Sequence, residues 1–447
     1  MKKLKWILCC ICLLGTFSAQ AEAKEKEILI PSKQKKEQEF GKRFDYKHMA
    51  ESDNLVLFWE KSFGDAPASL PDENRRFYPD EILEEGERFY NYYVDKLKFA
   101  DREKSFSARY KMIIWMIDDD VRTAYGWGDE GVGMMWFRPC RIQSYPYCPL
   151  AHEMGHSFQY MTGADGARSF HSTPIVEYSS QWMLWQVYPD WTTIEKYHLD
   201  AYMDQTHLSL LHVDNQYHAP QFMEYWSNKH GADIIGRIWR EAKDKEDPVA
   251  TYQRLTGMNQ EQFNDEIYDA ASHFVTWDMP RVKQVCRTYA NQHTCKVEKA
   301  DADGWYKIAQ TRCPQDYGYN AIRLTVPRGG DSISIEFQGL AGDTTFVSKH
   351  PGEAGWRYGF VASDHNGYTH YGEMQKAVNG KNPPVTYRVP EQTQYLWLVV
   401  TAAPTVHHGY WKFYGQLEKE KGNEPQWPYQ IRLNGVKPDA SVLKAKK

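Results

Sequence analysis

Pro149-Leu150-Ala151-His152-Glu153-Met154-Gly155-His156-Ser157-Phe158-Gln159 is the stretch on which the reading of this chain turns. Wound as a helix, it carries His152 and His156 on one face, because residues four apart stand one above the other. Two imidazole nitrogens so placed can converge on one metal ion, with Glu153 projecting beside them. A carboxylate next to a zinc-bound water can take its proton and later pass it to a leaving group. The helix itself is well signalled. Pro149 suits a first turn, Gly155 admits a close neighbour behind the site, and Leu150, Phe158 and Met161 recur at helical spacing. The plainer alternative is a helix with two histidines on its polar side, and the surrounding pattern favours the metal.

The chain has 447 residues, too many for one ordinary domain and suited to two or three. Its first residues read as a signal peptide, 1–21: Lys2, Lys3 and Lys5 precede an apolar run from Trp6 to Leu14, and Ala19-Gln20-Ala21 offers a cleavage site. The expectation is an exported protein, secreted or periplasmic, with no membrane span after cleavage. Losing that segment removes three lysines and no acid, so the net charge moves from -5 to -8. An acidic surface argues against nucleic acid as a partner. Cys140, Cys148, Cys286, Cys295 and Cys313 remain and are not spaced as a metal cluster, so in an oxidising compartment disulfides are expected. A Cys140–Cys148 bridge and two reduced thiols are equally compatible with the spacing.

Residues 22–105 read as an arm and helical scaffold. The Lys- and Glu-rich part up to residue 50 is expected to be mobile or weakly packed. From Pro79 to about Leu97, apolar and aromatic residues at Ile82, Leu83, Phe89, Tyr90 and Tyr93 predict an amphipathic helix. Lys111 to Ile117 has the length and composition of a strand and ends in the acidic turn Asp118-Asp119-Asp120. That turn lacks the alternating ligands of a calcium loop. Tyr125-Gly126-Trp127-Gly128 reads as a glycine-rich connection to a second strand starting at Val132. Gly133, Met134, Met135 and Trp136 on that strand are candidates to pair with the main chain of an extended substrate.

A catalytic zinc usually has three protein ligands and a water. Asp165, His171, Glu177, Asp190 and Glu195 are the nearby candidates for the third. Glu177 stands out because Thr173 can cap a helix that begins at Pro174 and runs through Trp182 to Trp185. Packed antiparallel to the first helix, it would turn this carboxylate toward the two histidines. A first-turn glutamate favoured by the helix dipole is the plain alternative.

His152-Glu153-Met154-Gly155-His156, twenty intervening residues, then Glu177, resembles the gluzincin class of zinc metallopeptidases. Within it the His-Glu-x-Gly-His-x-x-Gln wording is closest to the enhancin-like and mucin-degrading branch, and to uncharacterised exported bacterial proteins with the same core. The resemblance covers about residues 108–190. It implies a short sheet over an active helix, a second helix carrying the glutamate, and endopeptidase chemistry on Zn²⁺. The short acidic or asparagine-containing pattern that gluzincins often carry around the third ligand is missing, since Val176, Tyr178, Ser179 and Ser180 flank Glu177, and this leaves the subfamily and substrate open.

From Tyr197 to Lys283 apolar residues recur at three or four, predicting a helical lower lobe that closes one side of the cleft. Tyr217 and His218 are candidate donors to the developing oxyanion, in competition with His207, His212 and Tyr225. Past Cys295 short alternating strands separated by turn residues predict an all-β sandwich-like module over 296–436. Trp356, Tyr358, Trp397 and Trp411 could stack on sugars if exposed, although core packing is the expectation for most of them. The lysine-rich tail, 437–447, is expected to be disordered.

The expected fold is therefore an α+β zincin-like catalytic domain with a helical lower lobe (106–295), followed by the β-sandwich-like domain. The expected function is that of an exported zinc-dependent endopeptidase acting on protein or glycoprotein, with His152, His156 and Glu177 on zinc and Glu153 as base and acid. Two alternatives stay open. One is a catalytically silent peptidase-like protein that binds protein or glycan through its β domain, and the other is a hydrolase of a non-peptide amide on the same scaffold.

Overall fold

Met112-Ile113-Ile114-Trp115-Met116 is the middle strand of a five-stranded sheet. The computed structural model describes residues 25–119, 124–168, 170–300, 303–409 and 414–444. The expected signal segment, Asp120 and Trp411 lie outside the described residues. The sheet is ordered β1 (Met49–Glu51), β2 (Leu55–Trp59), β3 (Met112–Met116), β5 (Val132–Phe137), β4 (Tyr125–Asp129). The β2–β3 and β3–β5 pairs are parallel, and the two outer pairs are antiparallel.

Alternation explains why these strands read as unbroken apolar runs. Leu55, Leu57, Met112, Ile114, Met116, Met135 and Phe137 enter the main core, while Val56, Phe58, Ile113, Trp115, Val132 and Met134 enter a second cluster on the other face. A sheet buried on both faces has no polar side to show in its sequence. The second face is covered by the N-terminal arm, which corrects the expectation of a mobile segment. Ile30 and Phe44 are buried in that cluster, α1 (Ser32–Glu37) lies between them in sequence, and Phe40 sets its ring edge against Phe58 and Trp115. A few well-spaced apolar residues among lysines and glutamates suffice to dock a segment when a bare sheet face awaits it.

On the core face lie α2 (Pro79–Asp95) and α3 (Cys148–Ala164), followed by α4 (Ile175–Val187). Gln159 reaches Val176, His156 reaches Ser180 and Gly155 faces Met183, so α3 and α4 run antiparallel. The lobe continues through α5 (Trp191–Ile194), α6 (Lys196–Asp204), α7 (Gln221–His230), α8 (Ile234–Glu241), α9 (Pro248–Thr256) and α10 (Gln260–Phe274), the last four within the stretch expected to be helical from Tyr197 to Lys283. Asn259 and Gln262 form a reciprocal capping box that starts α10.

The C-terminal part is β-rich, with two sheets. In one, Gly355–Asp364 pairs with Thr393–Ala402, which pairs with Tyr319–Leu324. In the other, Ser332–Gly339 pairs with Tyr429–Asn434, which pairs with Trp305–Ile308. Both contribute to one core, where the Phe337 ring stacks on Tyr358 at 4.7 Å. Trp356, Tyr358 and Trp397 are buried in the sheets, as core packing requires. Trp397 faces the lobe, its Nε1 donating to Asn291 Oδ1 at 2.9 Å, and the main core runs on without a break through Tyr319, Val361 and Val399. The expected disordered tail is partly docked: Val442 is buried, and the amide of Lys444 donates to the Val297 carbonyl. All five described cysteines are free thiols, Cys140 exposed and the others buried, contrary to the expectation of disulfides. No described helix is long and apolar enough to cross a membrane.

Candidate functional site

α3 delivers His152, Glu153 and His156 from successive turns, and the first turn of α4 delivers Glu177. The helices approach this closely because position 155 is glycine. A β-carbon there would lie 2.8 Å from Ser180 Oγ and 3.2 Å from Ser180 Cα. Pro174 is the N-cap of α4 and no side chain caps the helix; Thr173, expected to do so, instead donates its hydroxyl to the Phe170 carbonyl.

Three donor atoms meet between the helices. His152 Nε2 lies 3.0 Å from His156 Nε2 and 3.1 Å from Glu177 Oε2, and His156 Nε2 lies 3.3 Å from the same oxygen. Three such electron-rich atoms face one another only when a proton or a metal cation lies among them. Tetrahedral ligands at zinc distances stand about 3.3 Å apart, so the donor set fits zinc both in kind and in spacing. Burial works against charging His156, yet the hydrogen bond and charge of Glu177 outweigh it and raise the ring to about 9. Burial likewise works against the Glu177 carboxylate, and the hydrogen bonds of His152 and His156 hold it well below the usual carboxylate range. Both shifts describe a pocket that favours positive charge among its donors.

Support comes from a residue that pattern reading left without a role. Gln159, fully buried, donates its amide to Val176 O, Ser179 Oγ and Ser180 Oγ, which turns its oxygen toward His156 Nδ1 at 3.0 Å. The proton of His156 therefore belongs on Nδ1, and Nε2 offers its lone pair to the donor triangle. Its place three residues after His156 was the available signal.

The donors sit at the floor of a cleft of about 590 Å³, into which Glu153 also projects. No other described side chain hydrogen-bonds the Glu153 carboxylate. Tyr217 stacks over His152 with ring centroids 6.3 Å apart, and burial, then Glu177, push its hydroxyl pKa well upward. His218 does not line the cleft, which corrects its candidacy. Its Nδ1 meets His198 Nδ1 at 2.6 Å. Of this pair His198 lines the cleft, held at about 3 by burial and by the neighbouring histidines. It sits in an aromatic-rich stretch with no motif to single it out. The competing candidates are engaged elsewhere: His212 with Glu424, Tyr225 with Asp269, and His207, half-buried, near Arg312 and Asp204.

Among the other third-ligand candidates, Asp165 accepts from the Phe106 amide beyond the far end of α3, Asp190 is exposed, and Glu195 accepts from Trp191 Nε1. His171 lines the cleft with its ring 4.5 Å from Trp127 and stands apart from the triangle. The substrate-strand assignment also changes. Gly133, Met134, Met135 and Trp136 lie on β5, whose main chain is hydrogen-bonded to β3 on one side and β4 on the other. The margin of the sheet beside the cleft is β4, with Tyr125, Gly126 and Trp127 in the lining. Its glycines had the look of a loop. They are there because a β-carbon at 126 would collide with the Glu153 carbonyl, and one at 128 with the Tyr160 ring.

Comparison with solved structures finds weak likenesses, each confined to about a third of the chain. A family 22 carbohydrate-binding module of Clostridium thermocellum Xyn10B is 12% identical with a TM-score of 0.19, covering 33% of this chain and 83% of its own. The Yersinia pseudotuberculosis-derived mitogen is 10% identical with a TM-score of 0.17, covering 29% and 86%. At these scores neither bears on activity. Comparison with curated proteins finds no match. Residues 20–440 match the family described as "Family of unknown function (DUF6055)", and the chain belongs to it.

Proposed function

We propose that this protein is an exported zinc-dependent endopeptidase of the gluzincin type, acting on protein or glycoprotein. The observation that carries the reading is the triangle of His152 Nε2, His156 Nε2 and Glu177 Oε2, with edges of 3.0, 3.1 and 3.3 Å, on the floor of a cleft shared with Glu153. A zinc ion held by those three residues would supply an activated water and a positive charge for a polarised carbonyl. Glu153 accepts the proton of the attacking water and returns it to the departing amine, a role allowed by a carboxylate that no described side chain hydrogen-bonds. Tyr217, kept protonated by burial and by Glu177, donates its hydroxyl to the charge that develops on the carbonyl oxygen. The margin of β4 binds the substrate main chain as an added strand. Export rests on the basic and apolar start of the sequence.

The test is a broad peptide-library digest with the full chain, with and without chelator, beside Glu153→Gln. The expected result is chelator-sensitive cleavage, reduced roughly 10²- to 10⁴-fold in the variant while zinc content and fold are kept. Cleavage by Glu153→Gln at the wild-type rate would remove its assigned role. A zinc-loaded wild type that cuts no peptide would favour the silent binding protein or the non-peptide amide.

A further inference from the structure

Among the described residues a second group has metal-ligand character, far from the cleft in sequence: His350, Glu353 and His408 in the β-rich part. Their ligand atoms all lie within 4.8 Å of one another. The rings of His350 and His408 stack with centroids 4.2 Å apart and planes 18° apart, and His408 Nε2 lies 2.6 Å from Glu353 Oε2.

The three come from two segments that the backbone already ties together. His350 and Glu353 bracket a single 3₁₀ turn, Pro351–Glu353, closed by the Glu353 amide donating to the His350 carbonyl at 3.0 Å. Thr405, three residues before His408, donates both its amide, at 2.9 Å, and its hydroxyl, at 3.2 Å, to the Glu353 carbonyl. His407, next along, is held from the opposite direction by the Tyr317 hydroxyl at 2.9 Å and by Asp247 Oδ2 at 2.8 Å. Asp247 caps α9 in the helical lobe. The segment that carries His408 is thus fixed on both sides, and the ligand atoms lie close before any cation arrives. Convergence on one cation requires the stacked rings to rotate.

We infer that His350, Glu353 and His408 form a second site for a divalent transition metal, zinc by ligand chemistry, which clamps the 350–353 turn to the 404–408 loop at the seam with the helical lobe. Two imidazoles and a carboxylate suit zinc and its borderline-soft neighbours and offer little to magnesium, which demands oxygen ligands. With side-chain exposures of 43% for His408 and 28% for Glu353, a cation enters directly from solvent, and water completes its shell. A clamp there would stabilise the folded chain by mass action, because the unfolded chain has no preformed site.

The experiment uses the full chain and zinc itself. In a His152→Ala/His156→Ala background, equilibrium dialysis should find one zinc per chain, and zinc should raise the melting temperature while magnesium should not. Adding His350→Ala and His408→Ala should abolish both effects. Dialysis of wild type beside His350→Ala/His408→Ala alone should show a loss of one zinc per chain, and this arm stands even if the first background folds poorly. Equal zinc content in wild type and that double variant, both folded by circular dichroism, would overturn the assignment. The difference in count is independent of the cleft: failure of the peptidase reading leaves it intact, and its failure leaves the cleft untouched.

Discussion

The two His-His-Glu clusters use the same donor types on different foundations. His152, His156 and Glu177 project from two antiparallel helices whose backbones touch at Gly155, and Gln159 orients one ring from behind. His350, Glu353 and His408 stand on a 3₁₀ turn and a loop, partly in water. Donor identity alone therefore does not separate a reactive centre from a clamp. The separation lies in the support and in what stands beside the donors. The first cluster shares a cleft with Glu153, whose carboxylate no described side chain hydrogen-bonds, whereas the His408 ring of the second opens on solvent. The following substitutions test that contrast.

The largest effect is expected from Glu177→Ala. It leaves two imidazoles in the cleft, so metal affinity there should fall by more than the roughly 100-fold that follows loss of a supporting hydrogen bond. Glu177→Gln should be milder, since its amide oxygen still reaches the site without a charge, and His171→Ala should keep the metal. Glu353→Ala should lose only the second equivalent. Metal counts after identical dialysis against a weak chelator read all four. Full cleft occupancy in folded Glu177→Ala, with loss in His171→Ala, would move the third ligand to the loop before α4.

Gln159→Ala comes next. It removes the amide oxygen that faces His156 Nδ1 and one of several hydrogen bonds at Ser179 and Ser180, which keep Ile175 O with Trp239 Nε1 and His156 Nδ1 respectively. Cleft affinity should drop roughly 10- to 100-fold, with the second site unchanged. Equal affinity would mean that Ser180 alone orients the ring.

How far the sequence could be read follows the same contrast. The donors of the cleft were legible because helical periodicity converts spacing into a shared face: His152 and His156 are four apart, and Glu177 sits in a first turn. β4 was not, because its glycines answer to tertiary packing against Glu153 and Tyr160, and a glycine pair looks the same in a loop. With β4 misread, the margin of the sheet was placed on β5. Tyr217 and His218 are indistinguishable in sequence, and of the two only Tyr217 lines the cleft. The arm defeated composition-based reading because a few scattered apolar residues, Ile30, Phe40 and Phe44 among them, dock it on the sheet. The second cluster was invisible because 350, 353 and 408 meet only through strand topology.

Gly155→Val probes the rigid support of the first cluster. Its side chain would press on Ser180 and Met183, and overpacking of this kind costs about 2 kcal/mol. Since Ser180 and Glu177 share α4, the same push should spread the donor triangle. Urea denaturation should show the loss, and the cleft site should weaken while the second keeps its zinc. A variant as stable and as metal-competent as wild type would show that the helices can separate at no cost, and the distinction between the two foundations would fail.

The smallest effect concerns the seam that joins the two regions, and it is a pH dependence. His293 is buried between Trp277 of the lobe and Trp397 of the β-rich part, with Nε2 2.8 Å from the Tyr319 hydroxyl and Nδ1 without a partner among the described residues. Burial lowers its pKa to about 3. In the unfolded chain the ring titrates near 6.5. Between these values the unfolded chain holds a proton that the folded chain lacks. Stability from this group is therefore complete above about pH 6.5 and declines as pH falls toward 3, by up to about 1.4 kcal/mol per pH unit. His198 and His207, lowered to about 3 and about 4, act in the same direction. His293→Phe removes one titration and leaves those two, so at pH 5.5 it should lose about 1 kcal/mol less than wild type relative to pH 7.5. Denaturant midpoints at both pH values measure it without reference to metal if a chelator is present throughout. Parallel losses in wild type and variant would mean that the ring is already solvated at the seam, and that lobe and β-rich part are joined more loosely than their continuous core implies.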